Sequence, residues 1–298
     1  MSKINLLRKL ITSNNLDMYI VPKNDHYFQE YSNPDRLNLI SNFKGSAGMA
    51  VIGKHKNFLL VDGRYTSQAE IESGRNFKVI NISKLSIKNF SKKKLRKKKI
   101  GFDPRLFTKK FLNKNFKDYC ELLPIQMNLV DKVYLKKNKI KNNDFYPLKK
   151  KIAGESYEIK INKIVNILKR NKTDMIFISS SENIAWALNI RGWDNPNSPI
   201  PNCKMILTKQ KKIYLFTDNE KDKIIKKLNI YKKIKFHNTG DFFNILNKIK
   251  GKNCQIDLDT CSLYEENLIS NKFNILRKDD PIYLLKSKKN KIEVNNIK

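Results

Sequence analysis

LDMYIV, residues 16–21, returns in related form as TDMIFI, residues 173–178. Both are short apolar runs bounded by polar residues, which is typical of a strand that is covered on both faces. A helical pattern precedes each run, INLLRKLITSNN at 4–15 and EIKINKIVNILKRNK at 158–172. This shared order predicts that the chain contains the same α/β domain twice.

Later segments repeat in the same order. They are LNLISNFKG (37–45) with IAWALNIRG (184–192), NFLLVDGR (57–64) with KIYLFTDN (212–219), and KIGFDPRLF (99–107) with CQIDLDTCSL (254–263). The alignment pairs Asp17 with Asp174, Asp62 with Asp218, Asp103 with Asp259 and Gly45 with Gly192. The three aspartate pairs keep nearly one spacing, and only the glycine pair differs, since the loops around it differ in length.

Each copy is predicted to run helix, buried strand, helix, strand pair, helix, strand. The fold class is therefore α/β, with two tandem domains that each contain a mixed β-sheet flanked by helices. We place the first domain at 1–135, a basic linker at 136–153 and the second domain at 154–285. A length of 298 residues suits two domains of ordinary size.

The composition indicates a globular chain with an unusual charge. Hydrophobic residues make up 40% and charged residues 30%, and the formal net charge is +33. Such a charge would suit a nucleic-acid-binding protein. The lysines are spread over the whole chain, however, whereas a nucleic-acid-binding protein gathers its positive charge on one face. The dense run SKKKLRKKKI, 91–100, is predicted to be a solvated connection, with a docking patch for an acidic partner as the alternative.

Cysteine usage and hydropathy predict a cytoplasmic protein. Cys120, Cys203, Cys254 and Cys261 form no CxxC pair, so free thiols in a reducing compartment are expected. The N-terminus has a helical stripe instead of a secretory apolar core. No segment approaches the roughly 18 consecutive apolar residues of a spanning helix.

The common catalytic motifs are missing from the sequence. The three histidines are isolated, and neither HExxH nor GxSxG occurs. GMAVIGKH, 48–55, approaches a phosphate loop, but His55 replaces the hydroxyl residue and the residues between the glycines are apolar strand residues. We therefore expect no catalytic residue, metal ligand or cofactor in this chain.

Other polar and aromatic residues are weaker candidates. Asp25, His26 and Glu30 follow the first strand, where α/β domains often place functional loops, although capping or ion pairing is the more common role. Trp186 and Trp193 are expected to pack in a core or an interface more readily than to stack on a ligand.

The motifs together resemble the N-terminal half of Xaa-Pro aminopeptidase (aminopeptidase P) in its three-domain form. They are PKNDHYFQEY (22–31), LISNFKGSAG (39–48), LLVDGRYTSQA (59–69), IGFDPRLF (100–107), MNLVDKVY (127–134), IAGES (152–156) and IAWALNIRGWDNPNSP (184–199). GSAG and DGRY are fairly specific to this group and its creatinase and prolidase relatives. The resemblance covers essentially the whole chain and implies two creatinase-like N-terminal domains.

The resemblance also implies an activity and a place for it. The family hydrolyses the bond between a first residue and a proline in second place, and two metal ions, usually manganese, polarise a water in a third, pita-bread domain. Residues 286–298 resemble the start of the helix that leads into that domain. The expectation is a chain that is inactive alone, with the two manganese ions held only in the missing catalytic domain.

The arginine of DGRY is the residue that the resemblance implicates in substrate binding. Arg64 is therefore expected to project toward the catalytic cleft, with Asp25 and Glu30 as further loop contributors. Asp62 and Gly63 are expected to shape its turn, and Asp62 would either hold the turn or pair with the arginine. A guanidinium suits a peptide carbonyl or carboxylate because it carries several donors in one plane. The sequence departs from the family at Tyr27, where a histidine is usual, and at Tyr134, where a tryptophan is common.

The expected function is the non-catalytic half of an Xaa-Pro aminopeptidase that contributes substrate binding and domain or dimer contacts. Its partners would be a peptide with proline in second position and either a second copy or a metallopeptidase domain. The alternatives are a stand-alone interaction module without the enzyme domain and, as the weakest, a basic nucleic-acid-binding protein.

Overall fold

A computed structural model of the chain describes residues 3–29, 31, 33–134, 143–195, 197–217 and 231–298. The chain divides into two compact units, Met1–Lys139 and Ile140–Lys298. Each unit is built around its own sheet and core. The predicted α/β class with two tandem mixed-sheet domains is confirmed.

The described residues of the first unit form a six-stranded sheet between helices. Its strands are β1 (Met18–Pro22), β2 (Met49–Gly53), β3 (Asn57–Val61), β4 (Lys78–Asn81), β5 (Lys99–Phe102) and β6 (Glu121–Pro124). Its helices are α1 (Lys3–Ser13), α2 (Arg36–Ser41), α3 (Thr66–Ser73), α4 (Ile87–Lys94), α5 (Lys109–Asn115) and α6 (Leu129–Tyr134). The strand order is β4-β3-β2-β1-β5-β6, and β2 runs antiparallel to both of its neighbours while the other pairs are parallel.

Alternation along the strands divides the apolar side chains between two faces. One face is covered by α1, α2, α3 and α6, which contribute Leu7, Leu37, Ala69 and Leu129 to a core with the inward residues of β1, β2 and β3. On the other face Phe90 of α4 packs edge-on against Phe58 of β3, with ring centroids 5.2 Å apart. The central strands are therefore buried on both sides, which explains why they are continuous apolar runs.

The described residues of the second unit repeat this plan. Its strands are β7 (Phe145–Pro147), β8 (Met175–Ile178), β9 (Ile190–Gly192), β10 (Cys203–Thr208), β11 (Ile213–Thr217), β12 (Ile234–Asn238), β13 (Asn253–Ile256) and β14 (Asn274–Arg277). Its helices are α7 (Lys150–Ala153), α8 (Tyr157–Arg170), α9 (Ser181–Leu188), α10 (Phe242–Lys248), α11 (Leu263–Ser270), α12 (Pro281–Ser287) and α13 (Lys291–Ile297). The main sheet has the order β12-β11-β10-β8-β13-β14 with β10 as its antiparallel strand, and β7 pairs with β9 in a separate ribbon.

The duplication is visible in matching hydrogen bonds. Asp17 precedes β1 and accepts from the Lys99 amide at 2.8 Å, and Asp174 precedes β8 and accepts from the Asn253 amide at 3.0 Å. Asn42 and Asn189 both end a helix in the left-handed conformation, at φ 62° and 51°. These contacts confirm the pairing of Asp17 with Asp174 and the alignment of LNLISNFKG with IAWALNIRG.

The pairing of Asp103 with Asp259 is wrong. Asp103 is the first residue after β5, and the first residue after β13 is Asp257, two positions before Asp259. Both of these carboxylates accept the amide two residues ahead, from Arg105 at 3.0 Å and from Asp259 at 2.7 Å. The sequence alignment slipped by two residues because the second copy has two aspartates in this segment, Asp257 and Asp259, where the first copy has only Asp103.

The lysine-rich run is only partly a connection. Residues 91–94 belong to α4, where Phe90 and Ser91 are buried and the lysines at 92–94 are exposed.

The strands β4 and β6 were not predicted from the sequence, because each is short and half-exposed at an edge of the sheet. Such edge strands lack the apolar run that identifies a central strand.

Both ends of the second unit include segments that were predicted from the sequence to be connections, 136–153 and 286–298. Residues 143–153 of the proposed linker include β7 and α7, and 136–142 lie outside the described residues. Asn290, the N-cap of α13, donates from Nδ2 to the Ala153 carbonyl at 2.9 Å, which joins α13 to the end of α7. No helix among the described residues is long and apolar enough to cross a membrane.

Candidate functional site

The sheet of the first unit brings three loops to one edge. β1, β3 and β5 run in the same direction, so the loops that follow them leave from the same side. Neighbouring strands lie about 4.8 Å apart, which places the end of β3 about 10 Å from the end of β1. Asp62, Asp25 and Asp103 lie in these three loops and therefore share this edge.

Asp62 holds the turn that carries Arg64. One carboxylate oxygen accepts from the Arg64 backbone amide at 2.9 Å and from Nε at 3.3 Å, and the other accepts from Nη2 at 2.8 Å. The arginine lowers the pKa of the Asp62 carboxyl, mainly through the side-chain hydrogen bond. The guanidinium is thus oriented by its neighbour while the Arg64 side chain stays 78% exposed.

The backbone conformation at Gly63 is one that residues other than glycine can also adopt. Gly63 lies in a 3₁₀ turn, Gly63–Tyr65, outside the left-handed region. A Cβ at this position would meet its nearest neighbour, Asn81 Nδ2, at 3.5 Å, which is ordinary van der Waals contact. The turn is therefore shaped by the Asp62 side chain, and glycine contributes space beside Asn81.

The GSAG loop, residues 45–48, and the adjoining Phe43 contact Tyr65 of the turn. The Tyr65 hydroxyl shares a 2.8 Å hydrogen bond with Ser46 Oγ, and the Tyr65 ring packs edge-on against Phe43 at 5.9 Å. Glycine is needed at 45, because a Cβ there would lie 2.2 Å from the Phe43 ring. The two most specific sequence motifs, GSAG and DGRY, therefore form one packed substructure.

Asp25 stabilises its own loop. Its side chain is buried and accepts from the backbone amides of Tyr27 at 2.8 Å, Gln29 at 3.3 Å and Asn33 at 3.3 Å. The contact to residue 27 is made by the backbone, so tyrosine in place of histidine leaves it intact. Glu30, the other predicted contributor from this loop, lies outside the described residues.

Asp103 is a buried carboxylate at the same edge that the sequence did not single out as a site residue. It accepts from Asn128 Nδ2 at 3.0 Å, and His26 Nε2 lies 4.0 Å from its Oδ2. Burial raises the pKa of the Asp103 carboxyl. The acidic residue after a buried strand was the available signal, but its proximity to His26 depends on β1 and β5 being neighbours.

Arg36 and Asp131 form a second contact that the sequence did not predict. Nε and Nη2 of Arg36 donate to the two oxygens of Asp131 at 2.7 and 2.8 Å, which is the bidentate geometry of a strong ion pair. The pair joins α2 to α6, and Arg36 is buried. Its role is to fix α2, whose C-terminus leads into the GSAG loop.

The second unit does not repeat the arginine turn within its described residues. Asp218, the sequence counterpart of Asp62, lies outside the described part of the chain. The predicted packing of Trp186 is confirmed, since it packs against the core beneath Lys160, whose Nζ lies 4.2 Å from the ring centroid. Trp193 stacks on Tyr146 at 5.1 Å, although it is 64% exposed.

The residues that the structure describes include no group of three or more His, Cys, Asp or Glu side chains placed to hold a metal ion. Asp25, Asp62 and Asp103 are each engaged by backbone amides, and Asp62 and Asp103 also accept from neighbouring side chains. The chemistry available at this edge of the sheet is a hydrogen bond from the oriented Arg64 guanidinium to a ligand oxygen.

Two models of the creatinase/prolidase N-terminal domain match this chain, at residues 3–131 and 136–293. Xaa-Pro aminopeptidase 1 of Dictyostelium discoideum is 30% identical over 319 residues, covering 99% of this chain and 50% of that protein. A probable Xaa-Pro aminopeptidase P of Pyricularia oryzae is 33% identical over 206 residues, covering 65% of this chain and 33% of that protein.

The solved X-prolyl aminopeptidase of Caenorhabditis elegans superposes with a TM-score of 0.88 at 23% identity, covering 99% of this chain and 52% of that chain. It is described as a cytosolic enzyme with a di-nuclear active site. This chain thus spans between one third and about one half of the length of these three proteins.

Proposed function

The chain belongs to the creatinase/prolidase N-terminal domain family, with two such domains in tandem, and from this we propose that it forms the non-catalytic, substrate-binding half of an Xaa-Pro aminopeptidase. The observation that carries the proposal is the match over 99% of this chain to one half of an Xaa-Pro aminopeptidase. The substrate would be a peptide with proline in second position.

Arg64 is the residue that we assign to substrate binding. Asp62 fixes the plane of the guanidinium, so less side-chain entropy is lost when a ligand binds. Its exposure means that the ion pair with Asp62 contributes little to folding. An oriented, exposed guanidinium at the carboxyl edge of parallel strands is suited to hold a peptide carbonyl or carboxylate.

The chemical step would belong to another domain. A pair of metal ions, which we expect to be manganese, would polarise the attacking water there. The described residues of this chain do not provide a ligand set for such ions. The contribution of this chain would be to bind and orient the peptide, in the cytoplasm.

A reconstitution experiment tests the proposal. The 298-residue chain would be co-expressed with the half of the Dictyostelium relative that this chain does not match. Release of the first residue from a tripeptide with proline in second place would be measured with manganese present. We expect cleavage only when both halves are present. Co-purification would show whether the two halves associate, and analytical sedimentation would show whether the chain forms a homodimer.

Arg64→Lys is the variant that tests the assigned residue. Lysine keeps the charge but loses the planar fork, so we expect kcat/KM of the reconstituted enzyme to fall about 10- to 100-fold, the range for a charged hydrogen bond. Arg75→Lys is the matched control, because Arg75 is exposed in the turn after α3. Unchanged kcat/KM for Arg64→Lys would contradict the assignment, and robust cleavage by the chain alone would contradict the non-catalytic role.

The same experiment distinguishes the interaction-module alternative. A module that has no enzymatic role would neither co-purify with the complementary half nor support cleavage. Association with restored cleavage would favour the split of binding and catalysis between the two halves.

A further inference from the structure

The first unit contains a cavity of about 550 Å³ at the edge of the sheet opposite to the Arg64 turn. β1, β3 and β4 begin at this edge and β2 ends there at Gly53, because β2 alone runs the other way. The cavity volume lies in the range of small-molecule sites. Every residue that lines it lies in the described part of the first unit.

The cavity exists because few helices cover this face. Phe90 of α4 packs on Phe58 of β3, and α5 packs beside α4, which leaves the start of β4 uncovered on this side. Apolar side chains form the floor: Met18, Phe58, Ile80, Leu85 and Phe90. Ile80 and Leu85 are half-buried, so part of this apolar surface is in contact with solvent.

The rim of the cavity is cationic. It includes Lys54, His55 and Lys56 from the β2–β3 turn, Lys78 from β4, and Lys94 and Lys98 from the lysine-rich run. Asp17 is the acidic residue of the lining, and it already accepts a hydrogen bond from the Lys99 amide. In the described part of the chain, none of these lysines pairs with a carboxylate within 4.0 Å.

An apolar floor inside a cationic rim selects one kind of ligand. Burial of an apolar group against Phe58 and Leu85 would supply the hydrophobic contribution, and the lysines would attract an anionic head group. A ligand with charge alone would leave the floor wet, and a neutral apolar ligand would leave the rim without a counter-charge. We propose that this cavity binds a small amphiphilic anion, an acyl or aromatic group that carries a carboxylate, sulfonate or phosphate.

A fluorescence titration tests this site on the full chain. The probe is 8-anilinonaphthalene-1-sulfonate, an aromatic sulfonate whose emission rises in an apolar environment. We expect saturable binding at one site, displaced by octanoate and by octyl phosphate but not by octanol, octylammonium or inorganic phosphate at the same concentration. Displacement by octanol as strong as by octanoate would overturn the role of the rim, and displacement by inorganic phosphate would overturn the role of the floor.

Two triple variants separate the cavity from the general charge of the chain. Lys56→Gln, Lys94→Gln and Lys98→Gln together remove three rim charges, and we expect affinity to fall about 10-fold, since each exposed ion pair contributes modestly. Lys88→Gln, Lys92→Gln and Lys93→Gln remove the same charge from exposed positions of α4 outside the cavity. An equal loss in both triples would show that the anion adheres to net charge, and the proposal would fail.

Leu85→Trp tests the floor independently of charge. The larger side chain would fill the cavity from a half-buried position, and we expect binding of the probe to fall at least about 10-fold. Unfolding by urea would be followed in parallel for every variant. Undiminished binding in a stable Leu85→Trp protein would place the probe elsewhere.

Discussion

Asp280 shows how a single buried carboxylate links stability to pH. Its Oδ1 accepts from the Ile282 amide at 2.9 Å at the start of α12, and its Oδ2 accepts from Asn183 Nδ2 at 2.8 Å. The residue is only 3% exposed. Burial is the largest influence and raises the pKa of the carboxyl to about 6.

The raised pKa predicts a specific pH window. The folded protein holds this proton more tightly than the unfolded chain, where the carboxyl titrates near 3.8. Stability attributable to Asp280 is therefore gained as pH falls from about 6 to about 4, and the charged form is penalised above pH 6. Each full unit of separation between the two pKa values corresponds to about 1.4 kcal/mol.

Asp280→Asn is expected to remove this dependence. Asparagine retains an acceptor for the Ile282 amide and is neutral at every pH. We expect the difference in unfolding free energy between wild type and variant, measured in urea from pH 7 to pH 4.5, to shift in favour of wild type as pH falls. A difference that stays constant over this range would show that Asp280 does not titrate there.

At the scale of elements, α4 shows what local pattern can and cannot identify. The run from 91 to 100 is dominated by lysine, so its composition predicts a solvated connection. In the structure, Phe90 of α4 packs on Phe58 of the sheet and Leu95, which caps the end of the helix, is fully buried, whereas the lysines at 92–94 are exposed. A few buried positions are enough to pack this helix on the sheet. The many lysines around these positions hide the apolar pattern in the sequence.

Phe90→Ala tests the packing of α4. Phe90 is fully buried against Phe58, and loss of a buried aromatic ring usually costs about 3–5 kcal/mol. We expect a loss of that size in urea unfolding of the first unit, whereas Lys93→Ala, at an exposed position of the same helix, should change stability by less than about 0.5 kcal/mol. Similar small effects from both variants would indicate that α4 is not packed as described.

Other elements were predictable to different degrees. β1, β8 and the β2–β3 hairpin were identified correctly, because a buried strand or a tight turn is specified within a few residues. β4 and β6 were missed, since an edge strand is defined by its neighbour in the sheet. For the candidate site, the motif identified Asp62 and Arg64 and gave pairing with the arginine as one of two roles for Asp62. The geometry of that pairing and the support from Ser46 through Tyr65 needed the tertiary structure.

At the scale of the whole molecule, the formal charge of +33 does not by itself indicate a nucleic-acid binder. The lysines occur in both units, and the cationic cavity rim is local to one of them. A surface whose charge is dispersed attracts polyanions through counterion release, which depends strongly on salt.

We therefore predict weak, salt-sensitive binding to duplex DNA. Affinity should be in the micromolar range or weaker and should disappear near physiological ionic strength, as expected for non-specific contacts with phosphates. A salt series followed by fluorescence anisotropy would measure it. Tight binding that persists at 150 mM salt would revive the nucleic-acid alternative.

The sequence by itself determined that the chain contains one α/β domain twice, where the buried strands lie, and that an Asp-Gly-Arg turn follows the third strand of the first copy. These features are encoded in apolar runs and in motifs that extend over a few consecutive residues. Only the tertiary structure decided that Asp257 is the counterpart of Asp103, that the loops after β1, β3 and β5 share an edge, and that lysines from three segments surround one cavity. The physical reason is that strand order and direction bring residues together that are distant along the chain, and no local pattern records which strands become neighbours.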